Sequence, residues 1–175
     1  MLNLKGTHIY LRGLEPDDLD FLYELENNTN IWEISGTIAP YSKHVLKRYL
    51  ENAHLDIYEV RQLRLCICLL EGETIGLIDL FEFDPQHKRI GLGVIISDMV
   101  HRGNGFGSEA VAMACDYAFS ILNLHQVYAN VLEDNQPSIA LFEKLDFKRV
   151  GVKKDWIVKG EGYKNEVLYQ KIRTS

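Results

Sequence analysis

Three glycines at alternate positions stand in the run His101-Arg102-Gly103-Asn104-Gly105-Phe106-Gly107-Ser108, between an apolar strand-like segment and a strongly amphipathic helical one. Residues without a Cβ reach positive φ easily and let the backbone come close to a ligand, so successive N–H groups can converge on a phosphate oxygen. The following helix adds its positive end and its unpaired first-turn N–H groups, and Arg102 adds a full charge. The run suits an anion cradle; a glycine-rich turn without a ligand fits the same residues. Trp32, Glu33 and Tyr41 form a second suggestive group, because aromatic faces and a carboxylate suit a cation. Packing of a lid is the competing reading there. Asp79 and Glu82 are the third: three apart in a regular strand they face opposite ways, and both line one cleft only if a bulge intervenes.

The elements that must position these groups are legible in the periodicity. Residues 7–14 alternate as a strand, and a helix starts at Pro16 with Asp17 and Asp18 in its first turn. Residues 31–41 keep no period and read as an irregular wall or lid. Ser42 caps a helix expected to run to about Leu55. Segments 64–70, 74–83 and 88–97 follow as a meander of strands, the last carrying Gly91 and Gly93 on one face. Glycine weakens a strand unless something approaches closely, which here means a ligand or a tightly packed helix. Val111, Cys115, Ala118, Phe119 and Leu122 share one face of the helix after the glycine loop, and 126–132 is again a strand, parallel to its neighbour through a right-handed crossover. Asn135 caps a helix ending near Asp146, and 147–158 with 163–172 make a closing hairpin. The expected fold is α/β (α+β): a mixed, mostly antiparallel sheet of about seven strands flanked by about four helices, in a single domain over residues 1–175.

Composition narrows the partners. A chain of 175 residues with 46% hydrophobic and 25% charged residues can bury a sizeable core. A net charge of -6 argues against nonspecific nucleic-acid binding and is compatible with a cationic substrate. No apolar run approaches the ~20 residues of a membrane span, and residues 1–6 lack the apolar region of a signal peptide, so no membrane partner and a cytoplasmic location are expected. Cys66 and Cys68 share one strand face and read as core; no further ligands accompany them, so no metal is expected.

With this element order, the chain resembles a GNAT-superfamily N-acetyltransferase over essentially its full length. Arg102-Gly103-Asn104-Gly105-Phe106-Gly107 matches that family's (Gln/Arg)-x-x-Gly-x-(Gly/Ala) loop, and Asn135-Gln136-Pro137-Ser138-Ile139-Ala140-Leu141-Phe142-Glu143-Lys144-Leu145-Asp146-Phe147 resembles its second signature at the expected distance. Within the superfamily, Leu11-Arg12, Glu26-Asn27-Asn28, Gly76-Leu77-Ile78-Asp79-Leu80 and Asp116-Tyr117-Ala118-Phe119 look most like spermidine/diamine N-acetyltransferases; acetyltransferases of ribosomal-protein N-termini share much of this pattern.

The resemblance implies acetyl-CoA as cofactor, its pyrophosphate bound by the backbone of His101 to Ser108. Ile95, Ile96, Asn130, Asn135, Ser138, Phe142 and Lys144 are implied along the rest of the cofactor, and plain capping is the other role open to Asn135. The implied reaction is direct attack of a neutral amine on the acetyl thioester in a ternary complex. An alkyl amine with a pKa of roughly 10.4 is mostly protonated at neutral pH, so a carboxylate or a water chain must take a proton. Relatives use acids in this part of the sheet, which nominates Glu82 first and Asp79 second. Trp32, Glu33 and Tyr41 are the expected substrate-side residues. Two departures stand out: Phe142 replaces a tyrosine that protonates the departing thiolate in many relatives, and Asp146 replaces a glycine where a helix end wants positive φ. The acceptor expected is a polyamine or similar small amine; acetylation of protein N-termini or lysines, and a non-catalytic CoA-binding sensor, are the alternatives. A homo-oligomer is left open.

Overall fold

The computed structural model describes residues 4–175; residues 1–3, and with them part of the leader reading and of the 1–175 domain expectation, lie outside the described residues. The chain opens with β1 (Ile9–Gly13), a 3-10 turn over Pro16–Asp18 and α1 (Leu19–Glu26), then α2 (Trp32–Ser35), α3 (Lys43–Glu51) and α4 (Ile57–Val60). The meander follows as β2 (Leu63–Leu69), β3 (Thr74–Asp84) and β4 (Arg89–Ile96). After the glycine loop come α5 (Phe106–Ser120), β5 (Gln126–Leu132), α6 (Gln136–Lys144), β6 (Lys148–Lys159) and β7 (Gly162–Ile172). All seven strands join one sheet in the order β1-β2-β3-β4-β5-β7-β6, antiparallel except for the β4/β5 pair.

Strand alternation divides the core into two layers. Leu65, Ile67, Ile78, Leu80, Ile90 and Leu92 pack with Val111, Cys115 and Ala118 of α5, whereas Cys66, Cys68 and Leu77 point the other way and pack with Leu22, Leu25 and Leu46 of α1 and α3. Each such aliphatic side chain contributes about 1.5–3 kcal/mol by leaving water. All three cysteines are buried and free, and burial pushes the Cys66 and Cys115 thiols up to about 12.

Several boundaries differ from those expected. The helix capped by Ser42, whose Oγ accepts from the Val45 N–H at 3.2 Å, stops at Glu51 instead of about Leu55. Asp56 then starts a separate turn, its carboxylate accepting from the N–H groups of Tyr58 and Glu59. That turn and α2, which Gly36 ends at φ +71°, raise the helices from about four to six; single turns are too short to show a period. Asp146 sits at φ +65° at the end of α6, as the helix end requires of the residue standing in for glycine.

One buried charge pair ties the first loop to the sheet. Asp18 is 5% exposed, and Arg12 donates to both its oxygens at 2.8 and 2.9 Å. Burial pushes the Asp18 carboxyl up, but the Arg12 guanidinium and the Glu15 N–H outweigh it and hold the carboxyl below the usual range. Its stabilisation is therefore complete above the unfolded value of ~3.9 and is lost as pH falls through the lower folded value. Asp18→Asn is expected to cost about 3 kcal/mol at pH 7, and thermal melts should show that gap closing only as pH falls below the unfolded value of ~3.9.

Candidate active site

The two signature segments meet where β4 and β5 separate. These strands pair only from Arg89↔Gln126 to Gly91↔Tyr128, although β4 continues to Ile96 and β5 to Leu132. Beyond Gly91 the facing edges part and line a cleft of about 600 Å³, walled by Leu92 to Ile95, Asn130 to Leu132, and Asn135, Ser138 and Phe142 from the region of α6.

The polar side chains of the loop after β4 bond within the loop and to the end of that strand. Asp98 accepts from the His101 N–H at 3.0 Å and from its ring Nδ1 at 2.9 Å, and these contacts, the backbone one foremost, hold the Asp98 carboxyl below its usual range. Arg102 folds back, Nε donating to the Ile96 carbonyl at 3.1 Å, and Asn104 donates to the carbonyls of Val100 and Arg102. Gly103 and Gly105 take φ of +75° and +82°. Whereas side chains cap α3, α4 and α6, α5 begins on Gly105 with no side-chain cap. Among the described residues no acceptor reaches the N–H groups of Phe106, Gly107 and Ser108. A helix start with three free donors, beside an unpaired strand edge, fits a phosphate-bearing cofactor with an extended amide arm.

The residues nominated from sequence fall into two groups. Glu33, Tyr41, Asp79, Ile95, Asn130, Asn135, Ser138 and Phe142 line the cleft. Trp32 does not: its indole donates to the Glu26 carbonyl at 2.8 Å and packs the lid. Ile96 turns toward the α5 layer, and Lys144 is exposed at the last turn of α6, away from the cleft. The His101 N–H is taken up by Asp98, so it is not a free donor for a ligand. Asn135 does cap α6, accepting from the Ser138 N–H at 3.3 Å, while still lining the cleft.

Glu82 is displaced from the position expected of a base. The bulge that would bring it beside Asp79 exists: Phe81 pairs with Gly91 and Asp84 with Arg89, leaving an extra residue on β3, with Glu82 at φ +50° and the Phe83 N–H bonded to Arg61 O at 3.0 Å. The bulge sends the Glu82 carboxylate to the Tyr128 hydroxyl at 2.5 Å, in a separate cavity of about 390 Å³. Burial, then this carboxylate, raise the Tyr128 hydroxyl far above its ordinary value and keep its proton in place.

Arg64, which belongs to no sequence motif, organises the acidic wall. Arg64 Nε and Nη2 bond the two oxygens of Asp79 at 2.6 and 3.2 Å, and Nη1 bonds Glu26 at 2.7 Å. Burial disfavours the guanidinium charge, but Asp79 foremost, then Tyr49 and Glu26, raise it well above its ordinary value. Cleft-lining carboxylates are Glu26, Glu33, Asp79 and Glu166, with Arg64 the one lining cation among the described residues, so the wall is acidic. Lysines of the hairpin steady it from behind: Lys164 lies 2.7 Å from Glu33 and Lys153 lies 2.6 Å from Glu166. The signal for Arg64 is register, since it stands directly opposite Asp79 across β2 and β3. That pairing lies beyond a register shift between Ile67 and Cys68, which no local motif announces.

Residues 8–148 match the family model described as an acetyltransferase (GNAT) domain. The chain belongs to the GNAT acetyltransferase family. It is 32% identical over 146 residues to the spermidine N(1)-acetyltransferase of Vibrio cholerae, covering 83% of this chain and 82% of that protein. The crystal structure of the Vibrio cholerae spermidine N-acetyltransferase in complex with CoA and spermine superposes with a TM-score of 0.85 at 27% identity, over 95% of this chain and 96% of the other. A dodecameric structure of the Vibrio cholerae spermidine N-acetyltransferase gives a TM-score of 0.79 at 28% identity, over 95% of each chain. This GNAT chain is an acetyl-CoA-dependent N-acetyltransferase. In it the Glu26–Arg64–Asp79 cluster is about four-fifths buried, so Arg64→Met leaves two carboxylates without their shared cation. A loss of about 3 kcal/mol is expected, read from denaturant unfolding.

Proposed function

We propose that this protein transfers the acetyl group of acetyl-CoA to a small polyamine of the spermidine type, and that residues 1–175 form one domain for that purpose. The observation that carries the reading is a gap with two unlike sides: an unpaired strand edge that runs, past Ile96 and Arg102, to free helix-start donors just outside the cleft, and a carboxylate-rich wall lining it. The relatives' names support a polyamine as acceptor, and the dodecameric relative supports an oligomeric assembly.

The cofactor, when bound, supplies an activated thioester carbonyl. The N–H groups of Phe106 to Ser108 hold its phosphates, with Arg102 contributing charge nearby, and the edges at Ile95 and Asn130 hold its arm. Asp79 and Glu26, fixed by Arg64, hold the ammonium end of the acceptor, and Glu33 and Tyr41 bound its path. With Glu82 bonded to Tyr128 in the other cavity, the amine proton passes to water in the open cleft. Phe142 has no proton to donate, so a departing thiolate would take its proton from water, which a thiol of pKa ~8.5 tolerates.

Thiol release from acetyl-CoA, measured against spermidine, other amines and short peptides, is expected with the polyamines and absent with peptides. Preference for peptides would point to protein acetylation, and binding without release for every amine to a CoA-binding sensor. Phe142→Tyr is expected to leave turnover unchanged or raise it, by at most the ~10²-fold lower range of general acid catalysis. A large fall in a folded variant would remove Phe142 from the neighbourhood of the sulfur.

A further inference from the structure

We propose that Phe81 is the partition that ends the acceptor cleft and thereby sets the length of amine it accepts, a reading that rests on the amine acetyltransferase function above. Three strands carry the boundary at the same level. On β3 the cleft is lined as far as Phe81, and the second cavity begins at Glu82; on β4 the cleft reaches Leu92 and the second cavity begins at Arg89; on β5 the cleft reaches Asn130 and the second cavity begins at Tyr128. Phe81, Gly91 and Tyr128 stand between.

The ring is seated there by specific contacts. Phe81 is paired directly with Gly91, and a Cβ on Gly91 would overlap ring atoms Cε2 and Cζ, so the ring lies where a side chain at that position would have pointed. The glycine anticipated as a place for a ligand or helix is therefore a seat for an aromatic ring of the neighbouring strand. At Gly93 a Cβ would meet only the ring edge at 3.9 Å, which leaves that position open to the cleft. Tyr128 braces the ring from the far side, edge to face with centroids 6.1 Å apart, and the Glu82 carboxylate holds the Tyr128 hydroxyl. Although half-buried, Phe81 belongs to neither hydrophobic cluster of the core. A large aromatic ring that packs on a glycine and a brace and lines the cleft is placed to limit it. Asp79 lies two residues along on the same face, so an amine held by Asp79 ends against this ring.

Removing the ring joins the two cavities and gives a longer amine room to pass Asp79 toward the polar far chamber. The test is thiol release by wild type, Phe81→Ala, Phe81→Leu, Gly91→Ala and the double variant Gly91→Ala/Phe81→Ala, each with a series of diamines and polyamines of increasing length and with thermal melts to establish folding. Phe81→Ala should raise kcat/KM for the longest amine relative to the shortest by at least ~10-fold, through KM, with Phe81→Leu between it and wild type. Gly91→Ala forces the ring into the cleft and should raise KM for every amine, and the double variant should return to the Phe81→Ala profile. An unchanged length preference in folded Phe81→Ala, or a double variant no better than Gly91→Ala, overturns the proposal. If wild type releases thiol with no amine, the functional reading itself fails; the crystal structure of Phe81→Ala then decides the partition alone, one continuous cavity supporting it and two separate cavities overturning it.

Discussion

Between β4 and β5 the hydrogen-bond ladder closes from Arg89 to Gly91 and then stops, and much of what this molecule can do depends on that unfinished pairing. Backbone groups on a strand edge need partners, and in a closed sheet they would have them. Here β5 satisfies its other edge along its whole length with β7, so the sheet survives the gap. The edges left open face each other across a cleft, and α5 starts close to its end. A cofactor with phosphates at one end and amide groups along its arm meets donors and acceptors that the protein has left unused.

The acceptor side follows a different rule. Carboxylates facing a cleft repel one another, and the fold manages that repulsion by inserting Arg64 between Glu26 and Asp79 and by backing Glu33 and Glu166 with lysines of the hairpin. The wall stays acidic without being unstable. Lys164 ties Glu33 of α2 to β7 and Lys159 ties it to β6, so the segment that walls the cleft is held by ion pairs and by Asn27, whose side chain bonds the backbone of Tyr41 at both its N–H and its carbonyl.

Local chemistry was readable and non-local geometry was not. Gly105 at the start of α5, Asn135 at the start of α6 and the extent of β5 from Gln126 to Leu132 follow from residue types that act on their own backbone. The one-turn helices escaped because a single turn has no periodicity. Glu82 departs from expectation for a sharper reason: parity lets it share a cleft with Asp79 only through a bulge, and a bulge is present, but its direction is set by the Arg61 carbonyl and the Tyr128 hydroxyl, both distant in sequence. Trp32 looked like a cation-binding face because its partner, a backbone carbonyl at Glu26, carries no sequence signature. Arg64 becomes visible only once the register of β2 on β3 is known.

The buried cysteines have a practical consequence. Cys66, Cys68 and Cys115 are all shielded, and the thiols of Cys66 and Cys115 are pushed up to about 12 by burial, so the native protein presents almost no thiolate to an aromatic disulfide reagent at neutral pH. In such a reagent the folded enzyme is silent, and colour reports only sulfur liberated by turnover. A slow additional signal equivalent to three sulfurs per chain would mark the core coming apart, so one cuvette can follow both catalysis and the integrity of the layer between sheet and helices.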